Sequence, residues 1–263
     1  MAPQPATDAT MKPFLGTCLA CLVTAATIQA NAAQPQPRHG AMEMPLARQF
    51  FCYKAADYFW PDDGSSIKNP GCRAAYQHVY KKFGNNKPQA EYQFVQWNEV
   101  SKNVPEPDYR DIEKVKAAIP DGQLCSAGNV VAATTKLAPQ STVNDKSGLD
   151  IPATWPAHLL VKDSSNKVEF TYNAHVAHDP GFWEIYITKP GFDRTKKSLT
   201  WGDLEDKPIA KFDDISVVGG KYLMRVDLGD RTGDYLIYSR WQRDDPAGEG
   251  FYNCSDVNIV TNR

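Results

Sequence analysis

KVEFTYNAHV, residues 167–176, alternates apolar and polar side chains with a period of two. This pattern is typical of a strand with one buried face, and it predicts that Val168, Phe170 and Tyr172 face the core. Similar runs flank it, and in FWEIYITK Ile185 and Ile187 are the predicted core residues. The runs are HLLVKD (158–163), FWEIYITK (182–189), ISVVGGKYLMRVDL (215–228), GDYLIYSRWQR (233–243) and FYNCSDVNIV (251–260). Together they predict a mostly β fold, an antiparallel β-sandwich of the immunoglobulin or fibronectin type.

Residues 52–150 have a different character, rich in Tyr, Pro, Gly and Asn with short helical patches. The clearest patch is YRDIEKVKAAI, residues 109–119, which Pro120 closes. We expect a long helical and loop insertion between the first strands of the sandwich. No internal repeat or long linker interrupts the sequence, so residues 39–263 are predicted to form a single domain.

The first 38 residues are interpreted as a signal peptide and trimmed leader. An apolar stretch from Phe14 to Ala33 follows Lys12 and ends in the A-x-A pattern of residues 30–32. A retained membrane helix is the weaker interpretation, because the stretch is short and a Pro/Gln tract follows it. The protein is therefore expected to be secreted.

Four cysteines remain after the leader: Cys52, Cys72, Cys125 and Cys254. In an exported chain an even number favours two disulfides over metal thiolates, and the count allows three pairings.

The balance of charged residues disfavours two classes of binding partner. The 263 residues are 42% hydrophobic and carry 29 Lys and Arg against 31 Asp and Glu. This near balance argues against nucleic-acid binding and against a polybasic membrane-surface protein. We expect a neutral partner, with no nucleic acid and no membrane.

The histidines suggest a metal. If processing makes His39 the first residue, its α-amino group and ring supply two nitrogens, and a second imidazole completes a three-nitrogen set that suits copper(II). The simpler interpretation of His39 alone is a frayed terminal residue. His175 and His178 can equally be surface residues, and their spacing on a strand and turn disfavours a shared zinc site.

WQRDDPAGEGFYNCSDV, residues 241–257, is the last notable segment. Phe251 is expected either to pack in the core or to cover one axial position of a metal. A glycoside hydrolase would need paired carboxylates, and Asp244, Asp245 and Glu249 lie in a charged loop without sign of a cleft.

Several segments, in this order, resemble the lytic polysaccharide monooxygenases of the bacterial and viral chitin-active type, including the viral fusolins (spindolins). The resemblance covers nearly all of the mature chain. The segments are HGAMEMPLARQFFCYK, WPDDG, NPGCRAAY, PDGQLCSAG, HDPGFWEIYITKP, TWGDLE and WQRDDPAGEGFYNCSDV.

The resemblance implies roles for particular residues. The copper ligands would be His39 and His178, the axial aromatic Phe251, and His175 has no counterpart. The implied disulfides join Cys52 to Cys72 and Cys125 to Cys254. Trp97 falls where the family carries surface aromatics that stack on sugars, although core packing explains it equally well. Glu184 and Glu249 are weaker candidates for residues around the ligands.

The implied activity is copper-dependent oxidative cleavage of a crystalline polysaccharide by a monomer, using an external electron donor with dioxygen or hydrogen peroxide. Chitin is the first choice of substrate and cellulose the second; a noncatalytic chitin-binding or adhesion protein is the alternative.

The sequence departs from the family's pattern in two places that affect the expected metal site. Val176 stands where the family usually has Ala, and signal cleavage after Ala32 or Ala33 would leave residues ahead of His39. A cut after Arg38, or a second trimming step, is then required.

Overall fold

In the computed structural model, which describes residues 39–174, 176–213 and 215–261, two β-sheets pack face to face. One sheet has the order β1-β4-β7 and the other the order β2-β9-β8-β5-β6, with β3 added beside β9. The strands are β1 (Gly40–Met44), β2 (Ser101–Asn103), β3 (His158–Lys162), β4 (Lys167–Ala174), β5 (Gly181–Ile187), β6 (Ala210–Asp213), β7 (Lys221–Asp227), β8 (Gly233–Arg243) and β9 (Glu249–Thr261). The predicted β-sandwich is confirmed.

The core between the sheets follows the period-two pattern. Phe170, Tyr172, Ile185 and Ile187 are buried as predicted, whereas Val168 is only half-buried. Trp183 and Trp241 stack across neighbouring strands with ring centroids 5.6 Å apart. These large rings fill much of the space between the sheets.

The insertion predicted between the first strands contains α1 (Arg48–Lys54), α2 (Pro70–Lys82), α3 (Lys87–Val95) and α4 (Ile112–Ala118). The predicted helix over 109–119 is divided into a 3-10 turn at Asp108–Arg110 and α4. Asp111 causes the division, because its extended backbone and its carboxylate, which accepts the Glu113 N–H at 2.9 Å, make it the N-cap of α4.

The strand pairing differs from the prediction in one respect. β3 runs parallel to β9, with His158 opposite Val257, while the other strand pairs are antiparallel among the described residues. The long insertion permits this, since it returns the chain to the edge of β9 without a hairpin. The short strands β2 and β6 were not predicted, because at three and four residues they are too short for an alternating pattern to stand out.

Buried polar contacts fasten the insertion to the sheets. The Arg48 guanidinium donates to both carboxylate oxygens of Asp256, at 2.7 and 3.0 Å. Asn253 accepts the Met42 N–H at 2.7 Å and so joins β1 to β9. The disulfides are Cys52–Cys72 and Cys125–Cys254, the pairing that the resemblance implied.

No helix in the part of the chain that the structure describes is long and apolar enough to cross a membrane. The leader predicted over residues 1–38 lies outside the described residues, as does His175. Both assignments stay predictions.

We expect removal of Cys125–Cys254 to destabilise the fold more than removal of Cys52–Cys72. The two bridges join residues separated by 129 and 20 positions. Chain-entropy reasoning gives about 1–2 kcal/mol more for the longer loop. Thermal and denaturant unfolding of the two Cys→Ser double variants measures the difference, and equal losses would contradict it.

We also expect the stability of the Asp150→Asn variant, relative to the wild type, to increase as pH rises. Burial raises the pKa of Asp150 to about 7, and its Oδ1 accepts two backbone N–H groups that an Asn oxygen can also accept. Because the pKa is raised in the folded state, Asp150 contributes to the free energy of unfolding at about pH 4, where it is protonated. That contribution of about 2–4 kcal/mol is lost as pH approaches 7. Unfolding free energies between pH 4 and 8 test this, with exposed Asp206→Asn as control; a pH-independent difference would refute it.

Candidate metal centre

His39 is held at the start of β1. The next residue, Gly40, pairs with Ala174 and donates its N–H to the Asn98 carbonyl at 3.1 Å. A Cβ at position 40 would lie 2.3 Å from the Asn173 carbonyl oxygen, so only glycine allows β1 to approach β4 this closely. The His39 carbonyl accepts the Val176 N–H at 3.1 Å, which brings the turn after β4 alongside His39.

His178 lies in that same turn, between β4 and β5, and only 6% of it is exposed. Its N–H donates to the Tyr222 hydroxyl at 3.0 Å, and this hydroxyl lies 3.1 Å from the His178 carbonyl, to which it donates. Gly181 starts β5 directly behind, where a Cβ would lie 3.2 Å from Trp241 Nε1 and 3.6 Å from the His178 carbonyl. A buried hydroxyl and a close backbone approach therefore fix the turn.

Aromatic rings line the space beside these histidines. The Phe251 ring centroid is 6.0 Å from that of His39, and the Trp241 ring stacks on Phe251 at 5.1 Å. Trp241 also lies 5.4 Å from Tyr222, the residue that holds His178. Phe251 therefore lies beside His39 and on Trp241, and Trp241 in turn contacts the Tyr222 that holds His178.

A carboxylate accompanies each imidazole. Glu99 Oε1 lies 3.1 Å from His39 Nδ1, and Asp245 Oδ2 lies 3.3 Å from His178 Nε2. Arg243 contacts both Asp245 and Glu249 at 2.6 Å, so Glu249 is connected to His178 through two charged groups.

The sequence analysis missed the roles of Glu99, Arg243 and Tyr222, and considered Asp245 only as a hydrolase acid. For Glu99 the available signal was its position two residues after Trp97, and for Arg243 and Asp245 it was the charged loop. Tyr222 lies in the run at 221–228 and gave no such signal.

A metal ion at this position would need more donors than the described side chains supply. Within the described ranges, no group of three His, Cys, Asp or Glu side chains is placed to hold a metal ion. Two imidazoles alone are too few, so a metal here needs a donor that is not a side chain. The α-amino group of a chain beginning at His39 would have the right chemistry, and it would be close to the His39 ring, whose Nδ1 faces Glu99.

Glu184 and Trp97, the other residues considered from the sequence, do not contact the two histidines in the contacts described above. Glu184 contacts Arg240 and Lys211 on the face of β5 opposite Trp183, away from the Phe251 side of the sheet. Trp97 is half-buried and stacks on buried Phe50 with centroids 4.1 Å apart, so it contributes to the core.

Comparison with known proteins gives the family. The model of the family described as "Lytic polysaccharide mono-oxygenase, cellulose-degrading" matches residues 39–257, beginning at His39 itself. The chain belongs to this family. Spindolin of Heliothis armigera entomopoxvirus is 34% identical over 83% of this chain and 66% of its own length. Chitin-binding protein CbpD of Pseudomonas aeruginosa is 29% identical over 95% of this chain and 54% of its own length.

A solved structure is similar as well. An entomopoxvirus fusolin in complex with zinc has a TM-score of 0.72 and 33% identity, covering 86% of this chain and 78% of that chain. The chain thus spans about two thirds of the spindolin and about half of CbpD.

We expect His178→Ala in the mature protein to weaken copper binding by more than about 100-fold. Loss of a residue that only supports a metal ligand weakens binding by up to about 100-fold, and loss of the ligand itself should weaken it more. His175→Ala should retain most of the affinity, because the resemblance gives it no ligand role. Isothermal titration with copper(II) compares the two variants. A strong effect of His175→Ala with little effect of His178→Ala would reverse the assignment.

Proposed function

We propose that this protein, once processed to begin at His39, is a copper-dependent lytic polysaccharide monooxygenase that cleaves crystalline chitin. The observation that supports the proposal is that His39 lies beside Phe251 and is hydrogen-bonded through its backbone to the turn that carries His178, in a chain of this family. The catalytic domain would comprise residues 39–263, secreted after removal of residues 1–38 and acting as a monomer.

Copper is the proposed metal because two imidazoles and one amine form a nitrogen-rich set, and copper(II) heads the divalent affinity order. The fusolin that forms a complex with zinc supports a divalent metal in a protein of this type. Bound copper would accept electrons from an external donor and activate dioxygen or hydrogen peroxide for oxidation of the polymer.

The protein's own residues orient this centre. The Phe251 ring, backed by Trp241, would border a metal held by His39 and His178 and exclude water from that side. Tyr222 fixes the backbone of His178 from both its N–H and its carbonyl. Asp245 and Glu99 lie beside the imidazoles with side chains 19% and 34% exposed, so they would accept protons from water at the edge of the site.

Chitin is preferred over cellulose on the strength of the relatives, one of which is named a chitin-binding protein. The family's description as cellulose-degrading makes cellulose the alternative substrate. A noncatalytic chitin-binding or adhesion protein would bind the same polymer without releasing oxidised products.

A glycoside hydrolase is disfavoured by the state of its candidate acids. Asp244 has its pKa lowered by hydrogen bonds from Tyr109 and then Arg110, so it holds its charge and is a poor general acid. Asp245 and Glu249 are both paired with Arg243.

The proposed function is tested with two forms of the protein, one beginning at His39 and one at Gln34. With copper, a reductant and crystalline chitin, only the His39 form should release oxidised chitooligosaccharides, because the extended form lacks the α-amino ligand. The His178→Ala variant of the His39 form is the inactive control. Equal activity of both forms, or no oxidised product from either on chitin and cellulose, would contradict the proposal.

Copper affinity of the His39 form should fall as pH decreases. An α-amino group has an unperturbed pKa of about 7.7–8.0 and must lose its proton to bind the metal. Copper titrations between pH 5 and 8 should therefore show a steeper decline for the His39 form than for the Gln34 form. Parallel curves would show that the amine is not a ligand.

A further inference from the structure

The loop between β8 and β9, residues 244–248, carries Asp245 to the candidate metal centre. Asp245 Oδ1 accepts the Gly248 N–H at 3.0 Å. Its Oδ2 lies 2.6 Å from Arg243 Nη2 and 3.3 Å from His178 Nε2. The direction of this carboxylate therefore depends on where the backbone of the loop lies.

Gly248 holds the far end of the loop against the insertion. Its carbonyl accepts the Val104 N–H at 3.0 Å, and its φ is +57°. A Cβ at position 248 would lie 1.9 Å from the Val104 carbonyl oxygen and 2.8 Å from Cδ1 of the Tyr109 ring. Both the backbone conformation and the space therefore require glycine, and glycine lets the loop touch the insertion.

Asp244 holds the near end of the loop. The hydroxyl of buried Tyr109 donates to its carboxylate, and Arg110 Nη2 lies 2.6 and 2.7 Å from its two oxygens. Hydrogen bonds to a charged group of this kind are stronger than neutral ones. The Asp244 N–H donates to the Pro180 carbonyl at 3.1 Å, two residues after His178. Asp244 therefore joins the insertion to the loop and to the turn that carries the second histidine.

We propose that Tyr109 and Arg110 are positioning residues for the metal centre that act through Asp245. They keep its carboxylate beside His178 Nε2, where a negative charge favours a divalent cation. Loss of their hydrogen bonds to Asp244 would let the loop shift and carry that charge away. The inference rests on the proposed function, because it assumes a metal at the two histidines.

Copper(II) titrations of the His39 form, arranged as a double-variant cycle, test the proposal. Tyr109→Phe keeps the ring and removes only the hydroxyl. It should raise the copper dissociation constant about 3- to 10-fold, less than the roughly 10- to 100-fold typical of a residue that supports a metal ligand directly. In an Asp245→Asn background the same change should have an effect of less than about 2-fold, because no carboxylate charge is left to position.

Arg110 offers a second variant with a matched control. Arg110→Gln should weaken copper binding by a similar factor, and Arg110→Lys should recover part of the loss because an ammonium group can still donate to Asp244. Lys116→Gln is the control, since it removes the same charge from an exposed ion pair with Glu113 on α4. Copper affinity should be unchanged in this control.

Hydrogen exchange of the metal-free protein measures the positioning of the loop itself. Tyr109→Phe should speed exchange of the Asp244 and Gly248 amides about 10-fold, as expected for loss of one hydrogen bond to a charged group. The Gly40 amide, which donates to the Asn98 carbonyl beside the other histidine, should exchange as in the wild type.

Equal losses of copper affinity with and without the Asp245 carboxylate would overturn the proposal, as would unchanged affinity in both Tyr109→Phe and Arg110→Gln. A lower melting temperature, with faster exchange throughout the protein and unchanged copper affinity, would assign Tyr109 a purely structural role instead. These measurements need no polymer. Protein that binds copper in the Asp245-dependent way but yields no oxidised product would therefore refute only the proposed function.

Discussion

Arg48 and Asp256 form a buried ion pair that fastens the first helix to the last strand. The guanidinium donates to both carboxylate oxygens and to the Leu149 carbonyl, and it lies 4.6 Å over the Trp155 ring. Removing one partner of such a pair costs about 3–5 kcal/mol, because the other charge stays buried. Together with the bond from Met42 to Asn253, the pair fixes β1 against β9. The relative position of His39, ahead of β1, and Phe251, on β9, depends on this connection.

The candidate metal centre is built from segments that are far apart in the chain, and none is diagnostic alone. β1 positions His39, the turn held by Tyr222 positions His178, and β9 supplies Phe251. If residues 1–38 are a leader as proposed, the α-amino group of His39 becomes available only when that leader is removed, so a covalent processing step would complete the site. Copper binding, and with it activity, would then be limited to the mature protein.

Much of the fold follows from local pattern, because burial of Phe170, Tyr172, Ile185 and Ile187 is set by alternation within each strand. The parallel pairing of β3 with β9 was missed, since it depends on where a long insertion returns the chain. At the candidate site, the prediction for His39, His178 and Phe251 came from the order of motifs. Glu99 and Asp245 were not, because their proximity to the imidazoles arises only when distant segments pack together.

We propose that a copper ion is held by two imidazoles and the α-amino group of His39. Electron paramagnetic resonance of copper(II)-loaded protein reports on these ligands, using the His39 form with natural-abundance and ¹⁵N-labelled nitrogen. We expect hyperfine coupling to three nitrogens, one of them an amine, and loss of the amine coupling in the form that begins at Gln34. Identical spectra for the two forms, or coupling to imidazole nitrogens alone in the His39 form, would contradict it.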